Sequence, residues 1–411
     1  MSFNFKEHKR LLVICLFLLF LSFLGGYTVA IKGYRLDLKN PQEIKITRGV
    51  PQDKKVDFAL FWKVWDTLNQ IYLDKTQIDP TKMVYGAIKG MVASIGDPYT
   101  SFLPPDENKV ITEDLSGSFD GVGIQIGFKG TQLAVISPLP GTPADKAGLK
   151  SGDFIMGIKD EAKNVDRGTV GINLSEAVQL IRGKRGTTVT LTILRSGEEK
   201  ALVIDLVREN IDVPSVIVSF VGEDEKISHL KLSKFGGDTQ EEWRKAVLQV
   251  KGQDARAVIL DLRNNPGGYL QGGVNIAAEF LPTASVVVIE ENSRGEKKEF
   301  KAERKGDLLD IPLIVLVNKG SASASEILAG SLKDYKRAKI VGEVTFGKGT
   351  VQEPIALEGG AGLHVTTFKW LTPSGFWVHN VGLEPDVKIE DKQDTKEDEQ
   401  LEEAIKLLQN D

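Results

Sequence analysis

Three serines, Ser321, Ser323 and Ser325, alternate with alanines in the segment 311–333, IPLIVLVNKGSASASEILAGSLK. An apolar run bounded by Pro312 and Gly320 precedes them. Ile327, Leu328 and Leu332 follow at helical spacing, so a buried strand, a tight loop and a helix start are expected in that order. Such a loop sets a hydroxyl beside the free N–H groups of a helix N-terminus, where partial positive charge gathers and a developing oxyanion can be held. This suits a serine nucleophile. All three hydroxyls are chemically competent, and the residues alone do not choose among them. A structural role competes: Ser323 and Glu326 spell S-x-x-E, a capping box, and capping serines far outnumber nucleophilic ones.

A serine nucleophile needs a base. The histidines are His8, His229, His364 and His379, and none sits in a segment with a turn and a nearby acid. A neutral lysine can replace histidine. An ordinary lysine titrates near ~10.4; bringing one to about 7 to 8 takes burial or a cationic neighbour, at roughly 3 to 5 kcal/mol of differential solvation. Lys348, between Gly347 and Gly349 and after Phe346 in the segment 345–352, TFGKGTVQ, lies in a context that permits burial. Taken alone, FGKG reads as a surface loop.

The two segments together resemble the C-terminal processing peptidases, or tail-specific proteases: SASASE after NKG, with Lys348 25 residues beyond Ser323 and Gln352 four further on. The resemblance implies a serine-type endopeptidase with a Ser/Lys dyad. Ser323 would be the nucleophile, Lys348 the general base and Gln352 the residue that orients it. Gly268 in RNNPGG, 263–268, with Gly267 as a close rival, and Ala324 would supply the oxyanion N–H groups. A straight strand would separate residues 348 and 352 by about 13 Å, so the chain must bend near Gly349 or the lysine must reach along it. No metal or organic cofactor is implied, because no His/Asp/Glu set has ligand spacing.

These residues have to be positioned by a chain of 411 residues, enough for two or three domains, with ordinary apolar (41%) and charged (27%) fractions. The net charge of -5 and the absence of a dense basic block argue against nucleic acid as a partner. Cys15 is the only cysteine, which excludes a disulfide framework and a thiolate metal site. Residues 11–31 carry no charge and follow Lys6, Lys9 and Arg10, so residues 1–32 are expected to anchor the chain in a membrane, with everything after Lys32 on the extracytoplasmic side. A cleaved signal peptide is the rival, with Thr28 and Ala30 at cleavage spacing. By resemblance the source is bacterial.

Residues 33–53, with Pro41 and Pro51, read as a linker. A helical segment, 54–112, carries Phe58, Phe61, Trp62, Trp65, Leu68 and Tyr72 on one amphipathic face and Val84, Ala87, Ile88, Met91 and Ile95 on a second. These faces are expected to pack on the body of the chain; the family suggests a subunit contact, hence a homo-oligomer. GDPYTSFLPP, 96–105, closes the second helix with turn residues.

The span 113–209, short alternating strands with one helix over 174–182, resembles a PDZ domain. Gly121, Val122, Gly123 and Ile124 stand where that family keeps its carboxylate-binding loop, and Ala177, Val178 and Ile181 would line the groove in which a peptide adds to the sheet edge. Residues 210–390 read as an α/β peptidase core, and 391–411 as a charged segment with a short helix, 401–408, solvated on most faces.

The expected fold is therefore an α/β multidomain protein: a PDZ β-sandwich or barrel before an α/β peptidase core, with a helical N-terminal segment and a membrane anchor. The expected partners are proteins or peptides with free C-termini, whose tails the PDZ domain binds or through which it gates the site. The alternatives are a non-catalytic PDZ scaffold and a Ser/His hydrolase using His364 or His379.

Overall fold

A computed structural model describes residues 5–31, 34–37, 45–48, 57–172, 174–198, 200–390 and 397–410. The chain divides into two compact units, Met1–Val84 and Tyr85–Asp411.

In the first unit, Phe5–Ile31 is a helix. Its described side chains, those of residues 13–27, are exposed and almost all apolar. Among the described residues, no helix is long and apolar enough to cross a membrane. The membrane anchor read at 1–32 is therefore not supported by the described residues. The expected linker lies mostly outside them; within it, Tyr34–Asp37 pairs antiparallel with Lys45–Arg48. Helix Ala59–Ile71 carries the expected aromatic stripe, with Phe61 edge-on to Trp62 at 5.1 Å. None of its residues is buried.

The second unit holds a PDZ domain followed by an α/β core. The PDZ sheet runs Leu202–Val207, Thr188–Leu194, Phe154–Asp160, Gln132–Pro138, Ile124–Lys129, with Val165–Gly168 paired to the middle strand. Thr188–Leu194 alternates, and Val189, Leu191 and Ile193 point into a core shared with Leu133, Ile155 and Ile158. One ion pair is fully buried in this domain, Arg208 with Asp160 at 2.6 Å. It is tolerable because the guanidinium also donates to Ile181 O and Thr187 Oγ1.

In the peptidase core a six-stranded sheet runs Val216–Val221, Ile227–Leu232, Ala257–Asp261, Leu313–Val317, Lys339–Gly342, Val387–Lys388, parallel except for the first pair. The two central strands, AVILD and LIVLV, are buried at every position, as strands covered on both faces must be. Helices Thr239–Gly252, Leu270–Phe280 and Ala324–Asp334 share one core cluster with these strands.

The terminal helix, Glu399–Asn410, belongs to another cluster, with Ile259, Ile314, Leu316 and Val341. The sequence leads one to expect it solvated on most faces, but Ala404 and Gln400 are fully buried, and Asp398 just before it pairs with Arg263 at 2.7 Å. Exposed Glu402 and Lys406 lie opposite a narrow apolar face. A second sheet, Lys297–Lys301, Val286–Asn292, Gly362–Leu371, Thr350–Ala356, also receives the short strand Ser101–Leu103 on Gly362–Leu371. That strand carries the segment 96–101 to the candidate site.

Candidate active site

The strand Leu313–Val317 ends in a turn that delivers the chain to helix Ala324–Asp334, and the three serines part ways there. Ser321 is buried and donates to Leu262 O at 2.8 Å; Ser325 is buried and donates to Asn265 O at 2.9 Å. Both hydroxyls are spent on the neighbouring loop. Ser323 is partly accessible, and its backbone lies at φ 55, ψ -115, outside the regions a non-glycine residue ordinarily occupies. Conformations of this kind cost of order 1–3 kcal/mol and persist where the surroundings enforce them.

Glu326 does much of that enforcing. It is fully buried, and its carboxylate accepts the Ser323 N–H at 2.9 Å, completing one half of the capping box. The other half, the Ser323 side chain facing the Glu326 N–H, is present too, but there the oxygen accepts, so the hydroxyl proton is donated to no partner among the described residues. The same carboxylate accepts Thr345 Oγ1–H at 2.5 Å, Gly347 N–H at 2.7 Å and Lys348 N–H at 2.9 Å. One buried anion therefore fixes the serine loop to the lysine loop.

Lys348 is partly buried, and burial lowers its pKa from the ordinary lysine range, with Asp97 and Glu326 opposing that shift. Its loop is clamped from behind by the closing segment. A side chain at Gly347 would meet the backbone of Val378, Asn380 and Gly382, and one at Gly349 would meet Trp377 and His379. Trp370 Nε1 donates to Lys348 O at 2.9 Å and Trp377 Nε1 to Gly349 O at 2.8 Å. The Lys348 Nζ stands 5.3 Å from the centroid of the Tyr99 ring.

Gln352 sits on the strand Thr350–Ala356, but its amide donates to Thr350 Oγ1 at 3.0 Å and Thr366 Oγ1 at 3.1 Å rather than touching the lysine. The register of this strand with Gly362–Leu371 shifts between Val351 and Gln352. Among the described residues, no hydrogen bond joins Ser323 Oγ, Lys348 Nζ and Gln352 to one another.

The glycine turn sits directly beside Ser323. A Cβ on Gly267, at φ 98, would lie 2.8 Å from Ser323 Cβ and 3.0 Å from Ala324 N; one on Gly268 would lie 2.2 Å from Phe235 O. Neither position admits a side chain. The Gly267 N–H is spent on Asn265 Oδ1 at 2.9 Å, whereas the Gly268 N–H carries no hydrogen bond among the described residues. Ala324 is the first residue of its helix, so its N–H has no intrahelical partner. Asn265, buried and donating to Leu232 O at 2.8 Å, locks the turn.

The PDZ groove lies between the strand Ile124–Lys129 and helix Leu174–Ile181, a cavity of about 130 Å³ lined by Phe119, Val122, Gly123, Ile124, Val178 and Ile181 among others. The carbonyls of Val122 and Gly123 accept from Ala144 and Leu139 at 2.9 Å, so the loop is pinned from behind while the N–H groups of Val122 and Gly123 make no hydrogen bond among the described residues. Gly121 is buried against the Phe119 ring, upstream of this cup. Ala177 does not line the groove: it is fully buried in the domain core, one residue around the helix from Val178.

Glu326 and Tyr99 are the residues that sequence reasoning missed. Glu326 was visible, as the acid of S-x-x-E, but only as a cap; Tyr99 lies in GDPYT, which reads as a turn. Among the described residues, no group of His, Cys, Asp and Glu could hold a metal ion.

Parts of this chain match known protein families. Residues 226–389 match peptidase family S41, residues 109–194 the PDZ domain, and residues 25–106 the N-terminal domain of the activating protease CtpB. The carboxy-terminal processing protease CtpA of Bacillus subtilis (strain 168) is 37% identical over 328 residues, 80% of this chain and 68% of that protein. CtpB of the same organism is 33% identical over 357 residues, 86% and 72%. Among solved structures, the photosystem II D1 C-terminal processing protease superposes with a TM-score of 0.51 at 30% identity, over 83% of this chain and 95% of that one.

Proposed function

The chain belongs to the carboxy-terminal processing serine peptidases of family S41, with a PDZ domain ahead of the peptidase core, and from that premise we propose that it cleaves protein substrates by a Ser323/Lys348 dyad while its PDZ groove holds the substrate's C-terminus. The observation that carries this reading is the accounting of the three serine hydroxyls: Ser321 and Ser325 donate to backbone carbonyls, whereas Ser323, on strained backbone at a helix N-terminus, donates to none among the described residues.

In the reaction, Ser323 Oγ attacks the scissile carbonyl as neutral Lys348 takes its proton. The carbonyl oxygen gains the negative charge and is met by the N–H groups of Gly268 and Ala324. Collapse of the tetrahedral adduct breaks the C–N bond, and Lys348 returns the proton to the leaving amine, giving an ester on Ser323. A water, deprotonated by Lys348, then hydrolyses the ester and restores both residues. Of the two rival glycines, Gly268 is the better donor, because Gly267 has already spent its N–H. Gln352 acts on the base through Thr366 and the strand that carries it.

The PDZ groove is suited to a terminal carboxylate: two unspent N–H groups at one end, apolar walls along the rest. A gating role has support in the contacts around it. Arg182, at the groove, lies over the Phe119 ring at 4.1 Å and pairs with Asp114 at 2.7 Å on helix Pro105–Ser116. The end of that helix bonds to Gly237 through Leu115 O, and the adjacent Phe235 bonds to Gly267 and Tyr269 across the oxyanion turn. Membrane attachment, with the peptidase on the extracytoplasmic side, rests on the sequence alone: the uncharged run 11–31 after Lys6, Lys9 and Arg10.

The test is cleavage of a loosely folded protein with a free apolar C-terminus, beside the same substrate with an amidated end. Wild-type chain should cut the first and cut the second more slowly at low substrate concentration; Ser323→Ala should cut neither. Cleavage by Ser323→Ala at the wild-type rate removes the nucleophile assignment, and indifference to the amide removes the carboxylate role of the groove.

A further inference from the structure

We propose that Tyr99 is the resting seat of Lys348, a positioning residue whose ring face holds the amine in its ammonium form, away from Ser323. This rests on the reading of Lys348 as the base. The Nζ lies 5.3 Å from the Tyr99 ring centroid and donates no hydrogen bond among the described residues, so the ring face is the contact that locates it. An aromatic face within about 6 Å attracts a cation and not a neutral amine. The seat therefore distinguishes the two protonation states of the lysine.

The ring is built in from both sides. Before it, Asp97 accepts the Tyr99 N–H at 3.0 Å and the Thr100 hydroxyl at 2.6 Å; Thr100 Oγ1 in turn accepts the Thr366 N–H at 3.0 Å, beside the side chain that Gln352 bonds. Behind it, His379 packs edge-on to Tyr99 at 6.1 Å and is stacked on Trp377 at 5.0 Å. Trp377 is itself anchored on Gly349 O. Two segments distant in sequence thus hold one ring against the lysine loop.

The charges around the amine divide. Burial opposes the ammonium; His364, on the strand Gly362–Leu371, has its own pKa lowered by burial and then by the charge of Lys348. Asp97, from the segment of the seat, and Glu326, from the nucleophile helix, favour the ammonium. The Tyr99 hydroxyl is itself pushed up by burial and by Glu326 and Asp97, so it stays neutral and the seat does not titrate with the base. A ring face added to Asp97 and Glu326 tips the resting lysine towards the charged form. Activation then consists of drawing Lys348 off the ring towards Ser323, where it acts once deprotonated.

The experiment is competitive acetylation of Lys348 across pH, read by peptide mass spectrometry on the full chain carrying Ser323→Ala, so that no turnover is needed. Tyr99→Phe keeps the ring and should titrate as the parent does. Tyr99→Leu keeps apolar bulk without the ring face, and its labelling midpoint should fall by about half to one pH unit. Tyr99→Met is the substitute if Tyr99→Leu does not fold. An unmoved midpoint in the ring-less variant, or a fall as large in Tyr99→Phe, overturns the seat. With Ser323 restored, the acid limb of cleavage should move with the labelling midpoint. A midpoint that moves while the limb stays would leave the seat standing and remove Lys348 from the role of base.

Discussion

The protein offers unspent backbone N–H groups to an oxygen anion in two places, and the two are built differently. In the PDZ loop, Val122 and Gly123 face an open, apolar groove, and the loop is held by ordinary turn contacts at residues 139–144. In the peptidase core, Gly268 and Ala324 flank a serine with strained backbone, tied to a fully buried carboxylate and a partly buried lysine. The first suits a charge that exists before binding, a carboxylate. The second suits a charge that exists only in passing, and its strain and buried polar network are the cost of having the donors already aimed when that charge develops.

The comparison breaks most visibly at the nucleophile and base. Ser323→Ala and Lys348→Ala should each lower kcat by about a thousandfold or more while leaving affinity for a tail peptide within about twofold, since the proposed function gives the two N–H sites different parts of the substrate. Fluorescence anisotropy of a labelled tail, beside steady-state cleavage, measures both quantities. Equal loss of tail affinity would merge the two sites into one.

A smaller effect is expected at Glu326. Glu326→Gln keeps the volume but replaces one accepting oxygen by a donor, against four N–H and O–H groups that all need acceptors. We expect kcat to fall roughly a hundredfold, with the tail affinity unmoved. A fall in kcat of less than threefold would demote the shared carboxylate to a cap.

Gly123→Ala should act on the other side of the comparison. Gly123 lies at φ 74, and a Cβ there would meet Thr142 at 2.3 Å, so the loop must shift. KM should rise by about tenfold with kcat at saturation little changed. A lost kcat with KM preserved would make this loop part of the gate.

The pH dependence is the smallest effect and follows in sign from the lysine. In the proposed mechanism Lys348 works neutral, so cleavage should rise with pH through its titration. Because burial lowers the Lys348 pKa, that rise falls below the ordinary lysine range, and Asp97→Asn, which removes a carboxylate that favours the ammonium, should move it lower still. A pH–rate profile of kcat/KM in the two proteins reads the difference; an upward move would reverse the electrostatic assignment.

Much of this was legible in the sequence, and the gaps have physical causes. The alternating domain patterns, the carboxylate loop and the pairing of SASASE with FGKG are local signals. The choice among Ser321, Ser323 and Ser325 is not local by residue chemistry, because the carbonyls that consume the outer two belong to Leu262 and Asn265, some 60 residues away. Glu326 was readable only as a cap because three of its four donors come from the lysine loop and the residues before it.

Tyr99 reaches the site through a three-residue strand paired to Gly362–Leu371, a contact across more than 250 residues. No periodicity announces it. Ala177 and Val178 are adjacent, and only the packing of their helix decides which faces the groove. The terminal segment 391–411 misled because its charged residues outnumber its apolar ones, although the apolar face of its helix is enough to bury Ala404.

The most direct test of the central assignment is to catch the ester. Mixing the full chain with an activated peptide ester of apolar sequence, quenching in acid within the first turnover and mapping the protein by mass spectrometry locates any acyl group. The structure predicts one acyl group on Ser323, absent in Ser323→Ala. An adduct on Ser321 or Ser325, or cleavage with no adduct on any of the three, would contradict it.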